Sequence, residues 1–452
     1  MTIESLDQAI TRQGNPVELL RNADFRAFTF PVAPEFSNWR SEQRAWRRSA
    51  ALLDQSHHMT DLFLRGEGLI ELLSSISVNS YRNFRPGVAK QMISVNEQGY
   101  VIGDGILFHL GDGVDLVGHH VLADWVKYQV EKSGLEIEVT EDPNSAVRDG
   151  DPVFYRYELQ GPRAYDIIEK LTGEQVPQVK FFHVHEFTFA GTSVRGLRHG
   201  MAGEPGFEFF GPFSEGARIR EAILDAGEEF GILPVGSKAY SSASIESGWV
   251  PTPLPAIFGD DLRDYRTWLP ASRVGSLGGS LRSADVQDYY LTPYDLGYGR
   301  SVNFDHEFIG KQALQDMASS PARQKVTLIW NPEDVAEIVT SQLRDGLPAK
   351  FLDFPKSRYA FHQFDEVLAG GKRIGVSTDP GYVANDKVYA SLACVDQAHA
   401  ASGSEVELLW GEDPNSDKGS VEEHRQVRVR ATVAPAPLHD YARTAYRSNT
   451  RL

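Results

Sequence analysis

The chain reads as an α+β protein of more than one domain, and three observations carry that reading. Strand-like and helix-like runs mix without the regular βαβ alternation of a doubly wound sheet. A strand–Gly–helix grammar occurs twice, as RGEGLIELLSSIS near residue 65 and QGPRAYDIIEKLT near residue 160. The last hundred residues then turn strand-rich. At 452 residues the chain exceeds what one hydrophobic core usually supports, so two or three domains are expected.

In chain order, the opening is helical in pattern and turns extended around FTFPVAPEF, where Pro31 and Pro34 forbid a regular helix. Ser41 to Leu53 reads as a helix that carries Arg40, Arg44, Arg47 and Arg48 along one side. MTDLFLRG at 59–66 follows as a strand. Strands are expected at 90–96, 100–109 and 114–118, the first two joined by the turn signal Asn96-Glu97-Gln98-Gly99. A helix over HVLADWVKYQVEKS stops at Gly134, and a loop covers 141–150. FYRYELQGPRAYDIIEKLTG then runs from strand to helix, FFHVHEFTFAGTSVRGLRHG reads as a strand pair and GARIREAILDAG as a helix. The weakly patterned stretch 315–345 is expected to connect residues 1–330 to a C-terminal β unit over 345–452.

Composition excludes several classes. The net charge of −17, without a basic run, works against a nucleic-acid partner. With one cysteine, Cys394, neither an internal disulfide nor a cysteine-built zinc site is possible. No run of about 18 apolar residues predicts a membrane span, and MTIESLDQAI lacks the charge and hydropathy pattern of a secretory leader, so the cytoplasm is the expected compartment. Neither GxGxxG, GxxxxGK[ST] nor GxSxG occurs in a supporting context. His183 and His185, two apart in FFHVHEF, would share a strand face, but no third ligand is suggested nearby and no metal is expected.

Five segments in order point further: GYVIGDGILF at 99–108, RHGMAGEPGFEFFGP at 198–212, ILPVGSKAYSSASIESG at 232–248, FIGKQAL at 308–314 and GKRIGVSTDPGYV at 371–383. Together they resemble the folate-binding family of the glycine-cleavage T-protein (aminomethyltransferase). The resemblance implies a three-domain arrangement: two ferredoxin-like modules interleaved in sequence, a C-terminal β-barrel, and a central cavity for tetrahydrofolate. The departures are informative. Tyr240-Ser241 stands where the family motif has Arg-Asp, Ser244 where it has a second Arg, and of an acidic pair only Asp104 remains, beside Gly103.

PEFSNWRSEQRAWRRSAALLDQSHHMTDLFLRG at 34–66, with AYSSASIESGW ending at Trp249, is similar to the tetrahydrofolate-dependent O-demethylases of lignin-derived methoxybenzoates within that family. The resemblance implies a methyl transfer from a methoxy-aromatic compound to N5 of tetrahydrofolate, leaving a phenol. It assigns Tyr240 and a histidine of the DQSHHM segment to the reaction centre, and the acids Glu204 and Glu208 to the pterin; Asp104 accepts from the pterin or caps a turn, and Trp249 stacks on the folate or belongs to the core. Where an arginine is expected to hold the substrate carboxylate, this chain has His119.

The chemistry suits these residue types. Cleaving an aryl methyl ether needs a nucleophile about 3–3.5 Å from the methyl carbon and a proton donor for the departing oxygen. Tyr240, protonated at neutral pH with an unperturbed pKa of ~10, can be that donor, with His57 or His58 positioning or recharging it. Adjacent residues on an extended segment face opposite ways, so one of the pair is expected in the cavity, His58 by preference. Phe28, Phe30, Phe36 and Trp39 are candidates to wall an aromatic pocket, or a hydrophobic seam between domains. Two other readings compete: a folate-dependent demethylase or aminomethyltransferase acting on a sulfonium or amine, and a non-catalytic folate-binding protein.

Overall fold

A computed structural model describes residues 3–25 and 31–448. The first sheet has five strands in the spatial order Ala89–Val95, Val101–His109, Val114–Gly118, Thr60–Arg65, Glu138–Asp142, all antiparallel. The helix His120–Ser133 covers one face, burying Val121, Leu122, Trp125 and Val126 in the largest core. Gly134 ends it in the left-handed conformation (φ 69°), as its sequence position predicts. The 96–99 turn also forms as expected, Gly99 donating its N–H to the Asn96 carbonyl at 2.9 Å with φ 81°.

The second sheet has six strands, ordered Ile232–Val235, Ala50–Asp54, Phe154–Gln160, Gly206–Pro212, Thr192–Leu197, Val184–Phe189. Its strand Ala50–Asp54 precedes the whole five-stranded sheet in the chain and the rest follow it, so the two modules are interleaved. Helices Ala164–Thr172 and Phe213–Gly227 pack on one face over Tyr155, Tyr157, Leu159, Phe207 and Phe209.

The helix expected over Ser41 to Leu53 spans Trp39–Arg48 and stops at Ser49 (φ −138°, ψ −103°). Ala50–Asp54 is instead a strand, parallel to Ile232–Val235 on one side and antiparallel to Phe154–Gln160 on the other. A short apolar run buried on both faces satisfies either pattern, and pairing on both edges decides it here. Glu138–Asp142 is likewise a strand that reaches into the expected loop.

The third unit is a closed six-stranded barrel: Arg323–Trp330, Val388–Asp396, Lys372–Val383, Asp365–Ala369, Glu405–Trp410 and Val427–Pro435, the last pairing back to the first. The expected division of the chain, with 315–345 as connection, is therefore corrected. Arg323–Trp330 closes the barrel between two partners, burying Val326, Leu328 and Trp330, and the helix Pro332–Ser341 follows, capped by Asn331. RQKVTLIW alternates only weakly because lysine and arginine hold some of its positions, which hides a barrel strand in a sequence pattern. Among the described residues no helix is long and apolar enough to cross a membrane.

Candidate active site

Strand Phe154–Gln160 determines where the chemistry sits. Its odd-numbered residues feed the core beneath the helices, so Arg156, Glu158 and Gln160 share the other face. All three are buried, at 1% exposure or less. Glu208 lies directly opposite Glu158 on the neighbouring strand. Arg156 crosses to the five-stranded sheet, pairing with Asp61 and with Asp115 at 2.7 Å, and meets Glu208 at 3.2 Å. Burial opposes its charge, yet the three carboxylates hold its pKa above the ordinary value. The modules are thus joined by a buried ion cluster, and buried charges persist only when paired and hydrogen-bonded.

The carboxylates are not all neutralised. Burial raises Glu208, against the pull of Arg156. Burial and the facing charge of Glu208 raise Glu158 well above the usual range, although Gln55 and the Met201 N–H donate to it. Two facing carboxyls, of which Glu208 alone meets the guanidinium, make a proton-holding, acceptor-rich wall.

Tyr240 and His58 meet beside this wall. The phenol oxygen lies 2.9 Å from His58 Nε2, and the rings pack edge to face at 5.1 Å. His58 sits in the turn between strands Ala50–Asp54 and Thr60–Arg65, and Tyr240 ends the short helix Ser237–Tyr240. Burial raises Tyr240 well above its ordinary value, and the charges of Glu158, Glu208 and Asp54 add to this. Burial, followed by His57 and Arg156, lowers His58 to about 4. At neutral pH the pair is therefore a phenol and a neutral imidazole. His57 turns the other way, its ring 6.0 Å from Phe213. Of the two histidines, His58 is the one joined to Tyr240.

Asp104 and Trp249 also come together. The Asp104 carboxylate accepts from Gln91 at 2.9 Å, from Tyr298 at 3.2 Å and from Trp249, while burial lifts its pKa. At 103 a Cβ would crowd the Leu122 Cβ at 3.2 Å. Glu204 does not join Glu208. Its carboxylate lies 2.7 Å from His439 and 3.6 Å from Arg47. Turn geometry separates the two acids, which sit on opposite sides of Gly206, where strand Gly206–Pro212 begins. His119 caps the helix His120–Ser133, its Nδ1 accepting the Val121 N–H at 3.3 Å, and its ring lies 4.9 Å from Phe361. Phe28 and Phe30 fall outside the described residues. Phe36 is exposed and carries Arg220 over its ring, and Trp39 is buried against Tyr382. Among the described residues no group of three or more His, Cys, Asp and Glu could hold a metal.

Ser244 explains the absence of the second arginine. Its hydroxyl donates to Asp379, which pairs with Lys356, and Lys356 Nζ donates to Ser244 Oγ at 3.0 Å and the Ser241 carbonyl at 2.9 Å. The barrel thus supplies a cation where the family motif has one on the short helix. Sequence reasoning missed Glu158, Arg156, Tyr298 and Lys356. The signal for the first two was present: charged residues two apart in FYRYELQ must share a face.

The GCVT N-terminal domain family matches residues 20–254. Over 99% of both chains, the sequence is 42% identical to syringate O-demethylase of Sphingobium sp.. It is 31% identical to sesamin methylene transferase of Sinomonas sp., over 83% of this chain and 82% of that one. An aminomethyltransferase of Caldanaerobacter subterraneus is 25% identical over 86% of this chain and 88% of its own. The crystal structure of the glycine cleavage system aminomethyltransferase T from Bartonella henselae superposes with a TM-score of 0.61 at 19% identity, covering 97% of this chain and 99% of that one. The arrangement of modules and barrel is therefore that of an aminomethyltransferase.

Proposed function

Because the chain belongs to the GCVT family, we propose that it is a tetrahydrofolate-dependent O-demethylase. It moves a methyl group from a methoxy-aromatic compound, of the methoxybenzoate kind, to N5 of tetrahydrofolate and releases a phenol. The observation that carries this reading is the Tyr240–His58 hydrogen bond of 2.9 Å, at the position where an aminomethyltransferase motif has Arg-Asp. The relatives named for syringate and sesamin chemistry support it, as each acts on an oxygen-substituted aromatic compound.

The residues fit the cofactor. The aminopyrimidine edge of a pterin offers N–H donors, and Glu208 and Glu158 face each other as buried acceptors with too little positive charge between them. Trp249, beside Asp104, is in our assignment the aromatic surface for a flat ring. Tetrahydrofolate, when bound, supplies the amine that takes the methyl group. In our assignment Glu208, Asp104 and Trp249 hold it, joined by Glu158, while Glu204 keeps the 198–204 turn in place through Arg47 and His439.

Tyr240 then does the protein's part of the chemistry. As the methyl–oxygen bond breaks, negative charge grows on the departing oxygen, and the Tyr240 hydroxyl donates to it. Tyr240's raised pKa keeps the hydroxyl protonated, so it acts as a hydrogen-bond donor to the charge that develops on the departing oxygen. His58, neutral and fixed at 2.9 Å, donates Nε2–H to the Tyr240 oxygen, aiming the phenol proton at the substrate. The net proton for the phenol comes from N5, so bonds and charges balance. The stretch ahead of Arg323 forms the folate-binding region in this assignment, and the barrel closes its other side. An acidic chain with one buried thiol suits a cytoplasmic enzyme of small molecules, with no nucleic-acid partner.

The test is anaerobic incubation with tetrahydrofolate and a panel of methoxybenzoates and neutral methoxyarenes, following 5-methyltetrahydrofolate. Product from an aromatic ether establishes the reaction. Folate binding without product from any aromatic ether would overturn it in favour of sulfonium or amine donors, or of a non-catalytic binder.

A further inference from the structure

We infer that Arg358, together with the rings of Phe361 and His119, forms a carboxylate-binding subsite beside the reaction centre. The carboxylate comes from an aromatic acid substrate or from the glutamate of the folate. This inference rests on the demethylase reading above for its ligands but makes a separate claim about one side chain.

The cluster is built from two units of the fold. Arg358 and Phe361 belong to the segment ahead of barrel strand Asp365–Ala369, and His119 caps the helix after strand Val114–Gly118. The Arg358 guanidinium lies 4.9 Å from the centre of the Phe361 ring, and that ring lies 4.9 Å from His119. A guanidinium lying over a ring keeps its edge N–H groups free for the two oxygens of a carboxylate. Only one of them is engaged, in a weak bond of 3.4 Å to the Phe361 carbonyl.

The surrounding charges leave Arg358 uncompensated. Among the described residues no carboxylate lies within ion-pairing range of it. Asp379, its acidic neighbour, is taken by Lys356 and Ser244. Beyond His119, Asp124 is taken by Arg273 at 2.7 Å and Lys127 at 2.8 Å. His119 and His362 face the same charge, and burial keeps both rings neutral, His362 at about 4. His119 Nδ1 already accepts a backbone N–H, so its proton sits on Nε2 and is available as a donor.

Burial also pulls Arg358 below its ordinary value although its side chain reaches solvent. The residue is exposed and so open to a ligand from the solvent side. The cluster lies near the reaction centre: Lys356, two residues before Arg358, donates to the Ser241 carbonyl next to Tyr240, and Gly118, just before His119, pairs with Thr60, two residues after His58. The resemblance expects a cation on the loop after strand Val114–Gly118; here that loop carries neutral His119, and the cation beside it arrives from the barrel.

The experiment compares wild type, R358Q and R358K, full-length, by isothermal titration with four ligands: a methoxybenzoate, the corresponding benzamide, tetrahydrofolate and tetrahydropteroate, which lacks the glutamate. R358Q is expected to weaken one acid by about 10- to 100-fold while its neutral counterpart changes by less than about two-fold, with R358K intermediate. A loss confined to the benzoate assigns the subsite to substrate, and one confined to tetrahydrofolate assigns it to the cofactor tail. Equal losses for acid and neutral partners, or none, would overturn the inference. Arg358-dependent acid binding without methyl transfer by wild type would leave the subsite standing and remove the demethylase reading. Arg358 is exposed, so R358Q should melt with the parent, which circular dichroism checks.

Discussion

Replacing Tyr240 with phenylalanine removes one oxygen from the reaction centre and little else. The ring still packs edge to face on His58, and no charge is created. In the substrate complex the departing oxygen loses its donor, and general-acid assistance of this kind contributes about 10²- to 10⁴-fold, or roughly 3–5 kcal/mol at 1.36 kcal/mol per factor of ten. The upper end is the better expectation, because the hydroxyl works beside buried acids where a water molecule is a poor substitute. Binding should change little, since the donor acts on charge that develops only in the transition state. Single-turnover formation of 5-methyltetrahydrofolate, alongside ligand affinities by Trp fluorescence, separates the two effects. Y240F should also depend more steeply on the acidity of the departing phenol, so electron-withdrawing ring substituents partly rescue it. Turnover within about three-fold of wild type, with both ligands bound, would remove Tyr240 from the chemistry.

Arg156→Met strands Asp61, Asp115 and Glu208 at the seam between modules, and breaking a buried ion cluster by removing one partner costs about 3–5 kcal/mol; urea unfolding at neutral pH measures it. In kcat/KM profiles the acid limb belonging to His58 should lie near 4 rather than at the 6.5 of a free imidazole, and H58Q should abolish that limb. His362, 3% exposed and lowered to about 4, binds its proton in the unfolded chain at 6.5 but not in the folded one until pH 4. The unfolded state therefore holds more protons between those values, and stability present above pH 6.5 is lost as the pH falls through that window. His362→Asn should remove about 2–3 kcal/mol of that acid loss by pH 4.5. It is read as the difference between variant and wild type, because the raised carboxyls contribute with the opposite sign.

Part of the candidate site is legible in the sequence. Tyr240, a histidine of DQSHHM, Asp104 and Trp249 were singled out from short motifs, and the structure joins the first two and the last two by hydrogen bonds. Local patterns also placed the strands and helices whose periodicity is set by one buried face, such as His120–Ser133. They failed at AALLD and RQKVTLIW, where both edges of the strand are paired and the sequence no longer distinguishes strand from helix or loop.

The functional omissions have one physical origin. Glu158, Arg156, Tyr298 and Lys356 meet Gln55, Asp61, Asp104 and Ser244, 95 to 194 residues away, and no spacing rule spans such a distance. Pairs such as Glu204 and Glu208 suffer the reverse error: four residues apart in sequence, they are sent to different partners by the left-handed turn at Gly206 (φ 151°), where a Cβ would strike the Leu159 carbonyl. The face rule for strands is the one local signal that reaches further. Arg156, Glu158 and Gln160 occupy alternate positions of a strand whose other face is aromatic and aliphatic core, so all three must be either in solvent or in a second interior. A strand paired on both sides and covered on one face by helices cannot leave three polar groups in solvent once a second module packs over them. Burial then requires partners, and among the described residues Arg156 is the ion-pair partner of Asp61, Asp115 and Glu208 while Glu158 has none. That shortage of positive charge, rather than any single residue, is why we assign a ligand rich in N–H donors to this interior.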